Sequence, residues 1–248
     1  MSTDDQQSLI AHLIELRDRL LRGVIAVLIL TAVLLPFSND LYHFLSEPLL
    51  KHLPETSTMI ATEVASPFLI PFKLTLSTAI LLAIPVLLYQ LWAFIAPGLY
   101  DNERKLIFPL LLASTVLFFL GIIFAYYAVF PLIFGFLTQA APEGVAVMTD
   151  ISSYLDFVLK LFFAFGLAFE VPIATLLLIW TGVSTVESLA EKRPYIIVGA
   201  FVIGMLLTPP DIISQTLLAV PVWLLFELGL LCSRLLPKKE QDDLQEEL

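Results

Sequence analysis

The sequence predicts an all-α polytopic membrane protein with six transmembrane helices, and its composition, run length and periodicity support this class. Hydrophobic residues make up 58% of the 248 residues, whereas soluble domains contain about 45–50%. Apolar runs of about 20 residues, the length that spans a hydrocarbon core of about 30 Å, recur along the chain. These runs lack the period-two alternation of barrel strands, so a transmembrane β-barrel is excluded.

Each predicted helix is an apolar run bounded by charged residues, prolines or loop segments. The fifth helix is short, and the apolar run between Gln215 and Glu227 in the sixth is also short, which favours local thinning of the bilayer or contact with a partner helix. Pro85, Pro172 and Pro221 each remove a backbone donor, so we expect bent helices and a curved, concave arrangement. The predicted helices cover residues 22–37, 72–95, 109–136, 154–180, 195–208 and 212–233.

The segment 38–71, between the first two helices, mixes prolines with apolar residues, and we expect it to pack over the helices as a cap. Within it, residues 39–45 are predicted to form a short helix. Ser38 or Asn39 is the expected N-cap, because such side chains accept hydrogen bonds from the free N–H groups of a first turn.

Basic residues predict the orientation of the helices, because Lys and Arg are enriched in cytoplasmic loops. Alternate loops differ sharply in their Lys and Arg content, and both termini are therefore expected in the cytoplasm. One side carries Lys51, Lys73 and Lys160, and the other carries Arg17, Arg19, Arg22, Arg104, Lys105, Lys192, Arg193, Arg234, Lys238 and Lys239.

We expect residues 1–235 to form one integral membrane domain and residues 236–248 to form an acidic, disordered cytoplasmic tail. The net charge is −10, which excludes nucleic acid as a partner because nucleic-acid binding needs a basic surface. No HExxH, GxSxG or Walker motif occurs, and the histidines lie outside the predicted transmembrane spans and far apart in the sequence. We therefore expect a protein that is not an enzyme and that uses no cofactor or metal.

Glu170 is a carboxylate in the middle of the fourth predicted helix, with uncharged residues at 161–169 and 171–180. An ionised side chain at the bilayer centre costs about 2.5–3.5 kcal/mol, so we expect it to face a protein interior, a wet cavity or a passing substrate. One reading is a proton-coupled secondary transporter of a cationic small solute, with Glu170 as its proton or substrate site. Another is a scaffold in which Glu170 pairs with a second helix.

Residues 8–22 are predicted to form an amphipathic helix at the membrane surface, with an apolar stripe at helical spacing. Glu15 with Arg19 and Asp18 with Arg22 are predicted i,i+4 ion pairs. The helix either leads into the first span or presents Glu15 and Arg17 to a partner.

The loop after the second helix offers Glu103 between Pro97 and Pro109. An acid at this position is either solvated or accepts paired hydrogen bonds from a guanidinium.

Four segments together resemble the TatC family, the multispanning subunit of the twin-arginine protein translocase. They are HLIELRDRLL (12–21), FIAPGLYDNER (94–104), FAFGLAFEVP (163–172) and RPYIIVGAFVIGMLLTPPDIISQTLLAVP (193–221). The resemblance covers about residues 8–235. It implies a protein of the cytoplasmic membrane that recognises twin-arginine signal peptides and takes part in translocation of folded proteins, driven by the proton-motive force. The implied partners are single-span TatA- and TatB-type proteins, and self-association in a larger complex is expected.

The same resemblance assigns roles to individual residues. Glu15, Leu16, Arg17, Phe94 and Glu103 are implied to bind the signal peptide. The remaining implied positions are Pro48 and Asp211 at the outer face and Glu170 within the membrane.

Polar groups near the outer end of the short fifth and sixth helices predict a docking surface for a single-span partner, because a bare polar group in hydrocarbon is costly. We place Met205, Thr208 and Gln215 on that surface.

Overall fold

The structure is a computed structural model that describes residues 3–50, 59–95, 107–139, 148–207 and 212–235, and these residues are mostly helical. Within these ranges no strand forms, and one isolated bridge pairs Ile60 with Asp150. The predicted all-α class is confirmed. The α-helices are α1 (Thr3–Leu34), α2 (Ser38–Leu50), α3 (Ser66–Ile95), α4 (Ile107–Phe124), α5 (Phe130–Gln139), α6 (Ile151–Ala168), α7 (Val171–Trp180), α8 (Val186–Glu191), α9 (Arg193–Leu207) and α10 (Ile212–Leu235).

The long helices agree with the predicted six-span arrangement. Five stretches in the described part of the chain are long and apolar enough to cross a membrane, and α9 is a shorter apolar helix, as expected for the fifth span. The five stretches are His12–Glu47, Ser66–Phe94, Phe108–Phe136, Ile151–Trp180 and Ile212–Arg234.

The structure of the first stretch corrects the predicted N-cap of the short helix in the segment 38–71. A 3₁₀ turn at Leu35–Phe37 joins α1 to α2, and both Leu34 and Ser38 keep right-handed helical backbone angles. Because the chain stays helical here, α2 needs no N-cap, and the assignment of Ser38 or Asn39 to that role is wrong. Helix α2 also continues beyond the predicted end at residue 45, to Leu50.

The prolines act in two ways. Pro85 and Pro221 lie inside the continuous helices α3 and α10. The fourth span is interrupted by a turn at Phe169 and Glu170, and Pro172 lies in the first turn of α7. At that position the missing proline N–H costs no helical hydrogen bond.

Packing divides the chain into two compact units, Met1–Gly166 and Leu167–Leu248. In the first unit, α1 packs antiparallel to α3, since His12 lies against Phe94 and Gly23 lies against Leu87. Aromatic side chains fill much of its core. Among the described residues of this unit, the buried phenylalanines are Phe118, Phe130, Phe134, Phe162 and Phe165.

Two tyrosines hold α2 against other parts of the first unit. The Tyr126 hydroxyl donates to the Phe44 carbonyl at 3.0 Å, and the two rings stack at 4.9 Å. The buried Tyr154 hydroxyl donates to the Leu45 carbonyl at 2.7 Å. These contacts support the expected packing of the segment 38–71 over the helices for its first part, helix α2.

Asp150 ties the segment before α3 to the start of α6. Its Oδ1 accepts from the Thr62 N–H and hydroxyl at 3.1 and 2.8 Å, and its Oδ2 accepts from the Ser153 N–H at 3.0 Å. Hydrogen bonds from Ser153 and Thr62 lower the pKa of Asp150 from 3.8 to about 2. The carboxylate is therefore ionised at neutral pH.

The second unit is built around Leu189, Phe226 and Leu230. Helix α10 packs closely on α7 at Gly229, where a Cβ would lie 2.9 Å from the Thr175 Cβ. Arg193, at the start of α9, donates from Nε and Nη2 to the two carboxylate oxygens of Glu227 at 2.5 and 2.9 Å. Glu227, the charged residue that ends the apolar run of the sixth span, is therefore paired with an arginine.

Candidate functional site

The N-terminal part of α1 and the C-terminal end of α3 lie side by side. The rings of His12 and Phe94 stack with centroids 4.3 Å apart. This contact brings together two of the segments that carry the sequence resemblance, although they are far apart along the chain. Phe94 therefore lies close to the turn of α1 that carries Glu15 and Leu16.

Glu15 is held by its own helix. Its Oε1 accepts from Arg19 Nε at 3.0 Å and also from Arg19 Nη2, so the predicted Glu15–Arg19 pair is confirmed. His12 Nδ1 lies 3.9 Å from the other oxygen, Oε2. A ligand N–H can therefore reach Oε2 while Arg19 keeps Oε1.

The second predicted pair, Asp18 with Arg22, is wrong. Arg17 Nε and Nη2 both donate to Asp18 Oδ1, at 2.9 and 2.8 Å. This double contact pairs Asp18 with Arg17 through Oδ1, and Arg22 makes no ion pair with any described residue.

Two of the residues implied to bind the signal peptide, Arg17 and Leu16, are exposed to solvent. The Arg17 side chain is 66% exposed and Leu16 is 45% exposed. The half-buried carboxylate of Glu15 lies among arginines, beside an aromatic ring and an apolar residue. Such a group can recognise a segment that carries both charge and apolar side chains. Glu103, the other predicted acid, lies outside the described residues.

Glu170 lies at the turn between α6 and α7. Its N–H donates to the Leu167 carbonyl, and its carbonyl accepts from the Ala174 N–H. The side-chain Oε1 is buried. The predicted intramembrane acid thus coincides with a break in the helix, where the first turn of α7 provides N–H groups that lack partners within the helix.

Met205 and Gln215, two of the three predicted docking residues, lie at the adjoining ends of α9 and α10. Gly204 packs on Gln215, with a Cβ position 3.5 Å from the Gln215 Cα, and the neighbouring Met205 is 54% exposed. Thr208 and Asp211 lie outside the described residues. Pro48 belongs to α2.

Helix α9 exposes an apolar stripe that ends at Met205. Its members recur at helical spacing, so they share one face. They are Tyr195, Val198, Val202 and Met205.

At the site where α1 meets α3, Gln90 lines one surface together with Leu16, Arg19 and Phe94. Sequence reasoning did not assign His12, Arg19 or Gln90 to this site. Arg19 has a local signal, its i,i+4 spacing from Glu15. His12 and Gln90 have none, because their placement depends on how α1 and α3 pack together.

Sequence comparison then identifies the family. The profile described as "TatC: Sec-independent protein translocase protein (TatC)" matches residues 11–221. The chain belongs to the TatC family. It is 60% identical to the Sec-independent protein translocase protein TatC of Haemophilus influenzae over 97% of this chain and 94% of that protein. It is also 60% identical to TatC of Escherichia coli K12, over 94% of this chain and 91% of that protein.

Solved structures of the family have the same fold. Two crystal structures of the "Twin Arginine Translocase Receptor- TatC" superpose with TM-scores of 0.80 and 0.82, at 42% sequence identity. Each covers 90% of this chain, which in turn covers 98% and 100% of those chains. Similarity at this level shows that the chain is a TatC subunit of the translocase and a multispanning protein of the inner membrane. The solute-transporter reading is not favoured.

Proposed function

We propose that this TatC-family chain binds twin-arginine signal peptides through Glu15, Leu16, Arg17, Phe94 and Glu103. The contact between His12 and Phe94 carries the proposal, because it joins the α1 and α3 segments of the candidate site. The names of the solved relatives, twin-arginine translocase receptors, support the same ligand.

The chemistry suits paired guanidinium groups. Each arginine of the signal keeps its charge and presents a planar fork of donors that matches a carboxylate. Glu15 offers Oε2, and Glu103 is the second acid. A lysine in the signal lacks the fork and is expected to bind less well. An acid in place of a signal arginine is disfavoured, because Glu15 and Glu103 would repel it.

Peptide binding to the purified chain in nanodiscs tests this assignment. Glu103→Gln and Glu15→Gln should each weaken binding by about 10-fold or more, since a hydrogen bond to a charged group contributes about 1.5–3 kcal/mol. Glu187→Gln, an exposed acid on α8, is the matched control and should bind normally. Wild-type affinity in both site variants, with folding intact, would show that the site lies elsewhere.

The remaining parts of the proposal concern assembly. We place both termini in the cytoplasm and a TatA- or TatB-type single-span helix on α9 and α10, near Met205, Thr208 and Gln215. The exposed stripe on α9 supports this placement. Translocation of folded proteins is driven by the proton-motive force, and the chain self-associates in a larger complex.

Glu170 is proposed to face a concave, water-reachable groove and to contact the inserted signal segment or polarise the membrane there. Its position at a helix break supports a polar role. Pro48 and Asp211 are proposed to organise the outer face.

A further inference from the structure

A groove of about 480 Å³ runs between α1 and α3. Its wall is apolar except for Arg19 and Gln90, and along α1 it extends from Leu16 to Leu28. At a rise of 1.5 Å per residue the α1 wall is about 18 Å long, and the α3 wall, which extends from Leu76 to Phe94, is about 27 Å long. The apolar walls therefore extend over at least the roughly 15 Å hydrocarbon depth of one leaflet.

One end of the groove carries uncompensated positive charge. Arg19 lines the wall beside Phe94, and its bonds to Glu15 use Nε and Nη2, which leaves the N–H groups of Nη1. Arg22 follows at i+3, on the neighbouring surface of α1. Because Asp18 pairs with Arg17, the positive charge of Arg22 has no partner among the described residues.

The position of Arg22 makes an anionic partner favourable. It is the first residue of the predicted apolar run, and an unpaired arginine that enters the hydrocarbon region is costly. A long arginine side chain can reach back towards the headgroups and bind a phosphate there.

Width separates two kinds of occupant. An α-helix is about 10 Å across, so it would place only some of its side chains in a groove between two packed helices. A flexible hydrocarbon chain fits the full length of the groove. Gln90, one turn from Phe94, lines the groove and can donate an amide N–H to an ester carbonyl.

We propose that this groove is a binding site for one anionic glycerophospholipid. One acyl chain lies along α1 and α3, the glycerol ester region lies at Gln90, and the phosphodiester binds Arg19 Nη1 and Arg22. This site is additional to the proposed peptide site, and the two adjoin at Leu16 and Phe94.

Native mass spectrometry of the full chain tests the site, with phosphatidylglycerol and phosphatidylcholine of the same acyl chains added in detergent. The chain should retain phosphatidylglycerol about fivefold more strongly, the equivalent of about 1 kcal/mol for one arginine near anionic charge. Equal retention of the two lipids would overturn the proposal.

Two variants separate the headgroup from the groove. Arg22→Gln should reduce the preference for phosphatidylglycerol, whereas Arg234→Gln, an exposed arginine on α10, should not. Val27→Phe places a ring in the groove and should reduce retention of both lipids. Val33→Phe, on an exposed part of α1 outside the groove, should leave retention unchanged.

Thermal unfolding shows whether Val27→Phe is folded, and Leu20→Trp, also in the groove, is the alternative if it is not. Unchanged phosphatidylglycerol retention in Arg22→Gln and in the groove variant would overturn the proposal. If the groove variant lost apolar peptide binding and kept the lipid, the occupant would be a peptide segment and the lipid site would be wrong.

Discussion

At the scale of single residues, Gly229 shows how closely two helices of the second unit approach. A Cβ there would lie 2.9 Å from the Thr175 Cβ and 3.0 Å from the Pro172 Cα. The second of these is a backbone atom that no rotamer change can move. A larger residue must therefore push α7 and α10 apart.

We predict that Gly229→Val destabilises the protein, because overpacking a tight contact costs about 1–3 kcal/mol. Gly199→Ala is the matched control, since a Cβ at Gly199 meets open space within 4 Å. Thermal unfolding in one detergent compares the two variants. A Gly229→Val protein as stable as the Gly199→Ala protein would contradict the close packing of α10 on α7.

Asp150 gives a prediction about pH. Its folded-state pKa of about 2 lies below the ordinary value of 3.8, so the stability that it contributes is present above pH 3.8 and is lost as the pH falls towards 2. The hydrogen bonds that Asp150 accepts from Thr62 and Ser153 should therefore stay intact from pH 5 to pH 8.

Asp150→Asn should weaken the same hydrogen bonds at neutral pH, because an amide has one acceptor oxygen and no charge. Hydrogen–deuterium exchange should become faster in the segments that contain Thr62 and Ser153. Glu63→Gln, an exposed neighbour, should leave exchange unchanged. Equal exchange in the wild type and in Asp150→Asn would show that these hydrogen bonds do not restrain these segments.

At the scale of elements, α9 presents the surface best suited to a partner helix. Val198, Val202 and Met205 lie on one exposed face, whereas Ala200 is buried. Helix association in membranes depends on packing and on polar contacts that average about 0.6 kcal/mol. Single substitutions should therefore weaken docking only in part.

We predict that cysteines at positions 198, 202 and 205 crosslink to a TatA- or TatB-type single-span helix in membranes, in a background with Cys232 replaced by Ser. A cysteine at position 200 should not crosslink. Crosslinks from α3 and α4 alone, with none from α9, would rule out this docking surface.

At the scale of the whole molecule, the distribution of Lys and Arg predicts the topology. In a Cys232→Ser background, we expect an impermeant thiol reagent to label cysteines at positions 64 and 148 in intact cells. Cysteines at positions 13 and 234 should react only after permeabilisation. All four positions are exposed, so accessibility across the membrane decides the result. The reverse pattern would invert the proposed orientation.

Local patterns account for the features that were predicted correctly. Span number and approximate boundaries follow from the length of apolar runs, which depends on neighbouring residues alone. The Glu15–Arg19 pair follows from helical spacing. The N-cap predicted at Ser38 or Asn39 was wrong. Local capping preference does not apply there, because the chain stays helical from α1 into α2 and α2 has no separate first turn to cap.

Part of the candidate site came from motif resemblance, which supplied Glu15, Leu16, Arg17 and Phe94. The resemblance gave no reason for Phe94 to lie beside His12. Glu103, Thr208 and Asp211 stay predictions from the sequence, because they lie outside the described residues.

The sequence by itself determined the class, the number of spans and the family, because each depends on composition or on short motifs. Tertiary packing alone decided the His12–Phe94 stack, the Tyr154 bond to Leu45, the close approach at Gly229 and the groove between α1 and α3. These contacts join residues far apart in the chain, and their energies depend on the shapes of two surfaces that no local pattern records.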